Sequence, residues 1–296
     1  MKTCLILFVS FAALAQPALP PAIGAAVERM ERYRITPNIT YHVASGYENK
    51  LDVYQFRTDK PNATLVYIHG GGWASGYSKE QYQHWFLPFL HMGWNVVNVE
   101  YRSSAIALAP AAVEDCLCAL RWVYKNAKQY NIDTARLVTM GHSAGGHLAL
   151  TTGMIPASAE LDRQCPGKED LKVAAIVNWF GITDVADVAD GPNSQTYAMK
   201  WFAAMPDRRE VAKRVSPLTY VRGGQPPVIS IHGNADATVP YSHAVRLHEA
   251  LNKAKVSNEL ITVEGGKHGS FGVKPMQDAY ASIFAFLGQL NLRATE

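Results

Sequence analysis

Arg136-Leu-Val-Thr-Met140 runs into Gly141-His142-Ser143-Ala144-Gly145-Gly146, and an apolar stretch from Leu148 follows. The first five residues read as a buried strand and the last stretch as a helix. The hexapeptide between them fits G-x-S-x-G. A serine on so sharp a strand-to-helix turn has neighbours two residues away on both sides that leave no room for a Cβ, hence Gly141 and Gly145. The turn pushes the Ser143 hydroxyl into the open, and the helix behind it aims its first N–H groups at the same place. Ser143 is therefore the candidate nucleophile.

Outward from this point, strand and helix signals alternate. Ile39 to Ser45 and Leu51 to Phe56 flank Gly46-Tyr47-Glu48-Asn49 and read as an opening antiparallel pair. Thr64 to Ile68, Asn95 to Val99, Ala174 to Phe180, Val228 to Ile231 and Glu259 to Val263 are short apolar runs, as strands covered on both faces are. Helices are expected after Pro110, with Val113, Leu117, Leu120 and Tyr124 on one face, over Ser242 to Ala254, and at the C-terminus, where Ile283, Phe286, Leu287 and Leu290 share a face. The fold class is α/β, with a mostly parallel central sheet covered by helices on both faces. Residues 182–215 interrupt the alternation and are too long for an ordinary connection, so they read as a small cap-like insertion. No linker composition divides the chain, and residues 39–296 read as one domain.

The chain has 296 residues, 48% of them hydrophobic and 18% charged, which is a globular composition. Its net charge is +3, from 28 basic and 25 acidic residues, with no basic run of five or more. This argues against nucleic acid as a partner. Lys2 followed by the apolar run Leu5 to Leu14 and by Ala13-Leu14-Ala15 has the order of a cleavable signal peptide over residues 1–15. Residues 16–38 then read as an N-terminal leader segment, and the expected location is secreted or periplasmic. The apolar run is too short to span a bilayer, and no other stretch reaches about 18 apolar residues, so no membrane span is expected. Beyond Cys4, three cysteines remain: Cys116, Cys118 and Cys165. Cys116 and Cys118 diverge on a helix; one of them bridged to Cys165, or three buried inert thiols, are the open possibilities.

A serine nucleophile needs a base, an acid and oxyanion donors, and the chain supplies candidates at strand ends. His69-Gly70-Gly71-Gly72-Trp73 follows the strand ending at Ile68. Its glycines let backbone N–H groups approach a substrate oxygen, so Gly71, Gly72 and Ala144 form the candidate oxyanion hole. Asp236 follows the strand ending at Ile231, and His268 follows the strand ending at Val263. Both loops lie at the carboxyl edge of the sheet, where ligand sites form. In this order His268 takes the Ser143 proton and Asp236 orients His268. Asp184 is a competing acid. Asp187 and Asp190 read as cap surface, His69 and His232 as loop braces, and Asp115 as a buried partner for Arg102. No H-E-x-x-H, C-x-x-C, P-loop or G-x-G-x-x-G pattern occurs, so neither metal nor cofactor is expected.

His69 to Trp73, Tyr101-Arg102, Gly141 to Gly146, Ser216-Pro217-Leu218, Pro226-Pro227, His232-Gly-x-x-Asp236-x-x-Val-Pro240 and Gly-x-x-His268 together resemble the secreted carbohydrate-esterase-like α/β-hydrolases. These are similar to bifunctional feruloyl and acetyl-xylan esterases and kin to the hormone-sensitive-lipase group. The resemblance covers about residues 38–290. It implies an eight-stranded α/β-hydrolase fold and cofactor-free hydrolysis of carboxylic esters, with Ser143, Asp236 and His268 as triad. The chain departs from many relatives in having Glu100 before Tyr101-Arg102, in displacing Leu108-Ala109-Pro110, and in its short N-terminal segment. The implied substrate is a small-molecule or polysaccharide-linked ester, with Trp73, Trp201 and Phe202 as candidate pocket residues. An amidase, arylformamidase or peptidase-like hydrolase with the same triad is the alternative; a non-catalytic binding protein would need a lost catalytic group.

Overall fold

The structure is a computed structural model that describes residues 31–74 and 76–295. Residues 1–30, which hold the expected signal peptide and most of the leader, lie outside the described residues. From Tyr33 onward the chain forms one compact unit. Eight strands make one sheet in the order β1-β2-β4-β3-β5-β6-β7-β8. They are β1 (Tyr33–Ala44), β2 (Tyr47–Phe56), β3 (Asn62–Ile68), β4 (Asn95–Val99), β5 (Ile132–His142), β6 (Ala175–Trp179), β7 (Val228–Gly233) and β8 (Asn258–Val263). The β1/β2 and β2/β4 pairs are antiparallel and every other pair is parallel. This is the expected α/β-hydrolase architecture.

Period-two alternation sorts the core. Leu51, Val53, Val66, Ile68, Val97 and Val99 face one side of the sheet. Tyr54, Leu65, Tyr67, Val96, Met140 and Val177 face the other. The helices, in chain order, are α1 (Leu87–His91), α2 (Ala111–Asn126), α3 (Ala144–Met154), α4 (Val185–Ala189), α5 (Thr196–Phe202), α6 (Arg208–Arg214), α7 (Ser242–Lys253) and α8 (Val273–Gln289). Leu120 of α2, Leu148 of α3 and Leu247 of α7 cover the first face. Phe89 of α1 and Ile283, Phe286 and Leu287 of α8 cover the second. Helix α3 is buried along nearly its whole length, which explains why its sequence is apolar all round. The insertion at 182–215 holds α4, α5 and α6.

Two departures from the sequence expectation stand out. The first strand begins at Tyr33, not at Ile39, and pairs with β2 from there. Pro37 and a left-handed Asn38 (φ 55°) interrupt the alternation, and the register shifts between Thr36 and Ile39, so the periodicity that reveals a strand is broken. An edge strand tolerates the proline because its outer N–H groups need no partner. The second difference is a 3-10 helix at Lys79–Trp85 running into α1, in a stretch without helical periodicity. Of the cysteines, Cys118 in α2 is bridged to Cys165 in the loop after α3, and Cys116 is free and buried.

Candidate active site

The turn after β5 has the shape its glycines permit. Ser143 sits at φ 55° and ψ −123°, outside the ordinary regions for a side-chain-bearing residue. A Cβ on Gly141 would lie 2.2 Å from the Gly145 carbonyl oxygen, and one on Gly145 would lie 2.1 Å from that of Ile68. The Ser143 N–H donates to Trp179 O at 2.9 Å, which ties the turn to the end of β6. Trp73 (φ 55°) and Phe180 (φ 38°) are also left-handed, so three strained non-glycine residues surround one spot. Such strain persists only where the surrounding structure over-determines it.

Three sheet-edge loops meet there. Ser143 Oγ lies 2.9 Å from His268 Nε2. His268 Nδ1 lies 2.8 Å from Asp236 Oδ2. With Nδ1–H donating to the carboxylate, the Nε2 lone pair is left to accept the serine proton. Asp236 is itself held: Oδ1 accepts the N–H groups of Thr238 (2.8 Å) and Val239 (3.0 Å). Burial alone would push its pKa up. Hydrogen bonds from His232 and His268, the charge of His268 and the Val239 N–H instead keep it well below the usual carboxylate range. Asp236 is therefore held as the carboxylate. The rings of Phe180 and His268 pack in a T-shaped pair, with centroids 4.7 Å apart.

Gly71 and Gly72 line the same cavity as Ser143 and His268. Ala144 opens α3, so its N–H lies in the first turn, where no helical carbonyl can accept it. Among the described residues, the N–H groups of Gly71, Gly72 and Ala144 donate to no other group. The glycine loop is anchored behind by Trp73, whose indole N–H donates to His147 Nδ1 (3.3 Å) while His147 Nε2–H donates to Val215 O (2.7 Å). Burial lowers the pKa of His147 to about 4, so it is the neutral imidazole that this pattern requires.

The candidate pocket aromatics do not face the cavity. Trp73 and Trp201 are fully buried and Phe202 is 1% exposed. Trp73 and Trp201 stack at 4.1 Å, filling the core beneath the cap with apolar surface. This corrects their assignment as a substrate pocket. The cavity, about 390 Å³, is walled instead by Tyr77, Tyr82, Trp85, Phe180 and Tyr197. The run Tyr77 to Trp85, with aromatics at 77, 82 and 85 just after the glycine loop, was the sequence signal for three of these. Phe180, just past the end of β6, and Tyr197, in the cap, carried none, because only the packed fold shows which aromatics turn toward the cavity.

The competing carboxylates are occupied elsewhere. Asp184 caps α4 and pairs with Arg246 at 2.8 Å. Asp187 is not cap surface: it accepts from buried His243 at 3.0 Å and from Asn193. Asp190 pairs with Arg208 and Arg209. Asp115 holds Arg102 in a buried pair at 2.7 Å. His232 braces its loop through Val239 O at 2.9 Å, and His69 contacts Glu100 at 3.0 Å. His142 turns from the cavity's centre toward the Tyr67 hydroxyl at 2.9 Å. Among the described residues no group of three or more His, Cys, Asp or Glu side chains is placed to hold a metal ion.

Comparison with known proteins places this geometry among relatives. The family model BD-FAE matches residues 51–251. Esterase LipQ of Mycobacterium tuberculosis is 27% identical over 217 residues, 71% of this chain and 51% of that protein. The chain thus spans about half the length of that curated relative. Among solved structures, the esterase Est2 of the planctomycete Thermogutta terrifontis, with propionate bound, superposes with a TM-score of 0.73 at 27% identity, covering 90% of this chain and 97% of that one. A truncated carbohydrate esterase from gut microbiota gives a TM-score of 0.74 at 27% identity, covering 88% of this chain and 97% of the other.

Proposed function

The chain belongs to the BD-FAE family, and on that premise we propose that it is a secreted serine carboxylesterase working through an acyl-enzyme. The observation that carries this reading is the unbroken relay from Ser143 Oγ through His268 to Asp236, at 2.9 and 2.8 Å, on a strained turn. Ser143 attacks the ester carbonyl carbon as its proton passes to His268 Nε2. The carbonyl oxygen becomes an oxyanion facing the N–H groups of Gly71, Gly72 and Ala144. Asp236 stabilises the imidazolium. Collapse breaks the bond to the alcohol, which leaves with the proton from His268. A water then gives its proton to His268 and attacks the acyl carbon, releasing the acid and restoring Ser143.

The substrate we propose is a short or aromatic acyl ester, such as the acetyl or feruloyl esters of plant polysaccharide. A cavity of about 390 Å³ with aromatic walls supports this, since it has room for a small acyl group. The resemblance of the motifs to carbohydrate-esterase-like hydrolases supports it as well. Export is supported by the order of charge, apolar run and small residues over residues 1–15, and by the Cys118–Cys165 bridge, a bond that persists in oxidising compartments. Among the described residues no helix is long and apolar enough to cross a membrane.

The test is turnover of acetyl, butyryl, octanoyl and feruloyl esters, with amides of the same acyl groups alongside. Ser143→Ala should abolish ester turnover and labelling by a fluorophosphonate probe while leaving the circular dichroism spectrum unchanged. Full activity in that variant would sink the reading. Faster turnover of the amides would move the enzyme to the amidase class.

A further inference from the structure

Beside the catalytic cavity lies a second, more open groove of about 700 Å³. Its walls come from two elements that the sequence motifs do not touch: the Lys79–Trp85 turn with α1, and the loop after His268 with the first turns of α8. We propose that this groove seats the alcohol portion of the ester, and that it selects alcohols built on a ring with an apolar face. The proposal rests on the esterase reading above and says which part of the substrate goes where.

The first argument is continuity. Trp85 and Gly269 line both the catalytic cavity and the groove. Phe180 packs against His268 at 4.7 Å and against Phe271 of the groove at 5.6 Å, so one aromatic ridge runs from the base to the groove. The second argument is chemical. His268 Nε2 must deliver its proton to the departing alcohol oxygen, so the alcohol leaves on the side of His268. Gly269, the next residue, is where the groove begins.

The third argument is the lining. Trp85, Pro88, Phe271, Val273, Met276 and Tyr280 supply a largely apolar and aromatic surface. Val273 is 76% exposed, a large apolar side chain left in water at the rim. His84, Ser270 and Gln277 add polar groups at intervals. The Tyr280 hydroxyl is already used, donating to Trp85 O, which fixes the groove's width by tying α8 to the 3-10 turn. An apolar floor with a few hydrogen-bonding groups suits a flat ring: an aryl alcohol, or a sugar whose C–H face lies on the aromatics.

The experiment compares four esters on the whole protein. Methyl acetate has no ring, phenyl acetate has an aryl alcohol, a monoacetylated methyl pyranoside has a sugar alcohol, and methyl benzoate puts the ring on the acyl side. Met276→Trp, on the groove wall and outside the catalytic relay, should fill the groove. It should lower kcat/KM for one or both ring acetates by about tenfold, mainly through KM. Methyl acetate and methyl benzoate should stay within about twofold. Loss confined to phenyl acetate identifies the aryl source, and loss confined to the pyranoside identifies the sugar. Val273→Glu, which places a charge on the same wall, gives a second reading should the tryptophan variant fail to fold. Equal changes on ring acetates and methyl acetate, or a change on methyl benzoate alone, would overturn the groove assignment and leave the esterase reading standing. A wild-type protein inactive on all four would overturn the esterase reading itself.

Discussion

At the scale of single residues, Ser143, His268 and Asp236 form one hydrogen-bonded relay. Asp236 is ionised and buried, and its two oxygens accept hydrogen bonds from backbone and imidazole together. Asp236→Asn keeps the shape but lets the side chain donate to Nδ1, which puts the His268 proton on the wrong nitrogen. We expect kcat to fall by about 10⁴ with little change in the denaturation midpoint; a loss below tenfold would contradict the role. The buried imidazoles His147 and His243 make a separate prediction. Burial lowers both to a pKa of about 4, with Arg246 adding to the effect at His243. The unfolded chain takes up these protons from about pH 6.5 downward, the folded chain only near 4. Stability from these groups is therefore complete above that window and falls as pH drops through it, by about 3 kcal/mol for His147. Urea midpoints taken from neutral pH down to about pH 4.5 should show the decline, and His147→Phe should flatten it.

At the scale of elements, the cap and the glycine loop are one packed unit. Trp201 of α5 stacks on Trp73 at 4.1 Å, and His147 of α3 binds both Trp73 and the carbonyl of Val215 after α6. The loop that carries Gly71 and Gly72 is thus fixed from behind by the cap's own core. Trp201→Ala should cost about 3 to 5 kcal/mol, the usual range for an aromatic deleted from a close-packed interior. Because the vacancy lies against Trp73, kcat should fall more than KM rises in the variant that still folds. Unchanged kcat would show that the glycine loop holds its shape without the cap. Asp184 pairing with Arg246 and Asp187 accepting from His243 add further ties between the cap and the body, joining α4 to α7. These carboxylates read as surface or as spare catalysts in sequence, since a carboxylate's partner sixty residues away leaves no local mark.

For the whole molecule, the Cys118–Cys165 bridge closes a segment of 47 residues between α2 and the loop before β6. Chain-entropy reasoning gives such a closure about 4 kcal/mol. Replacing both cysteines by serine should lower the urea midpoint, and the wild-type protein under reductant should show the same fall; an unchanged midpoint in both would mean that the bridge constrains nothing. Cys116, free and buried on the same helix as Cys118, should resist alkylation until the protein unfolds.

What the sequence determined by itself was the order of strands and helices and the positions of the chemistry-bearing loops. β-branched runs such as Asn95 to Val99 favour strands covered on both faces, and G-x-S-x-G between a strand and a helix favours one sharp turn. These are local constraints, written in consecutive residues. Tertiary structure alone decided which aromatics line the cavity, which cysteine meets Cys165, where β1 begins, and that Asp184 is bound to Arg246 rather than to a histidine. Those outcomes depend on contacts between segments far apart in the chain. Their energy comes from surfaces that touch only once the sheet has formed, so no short stretch of residues records them.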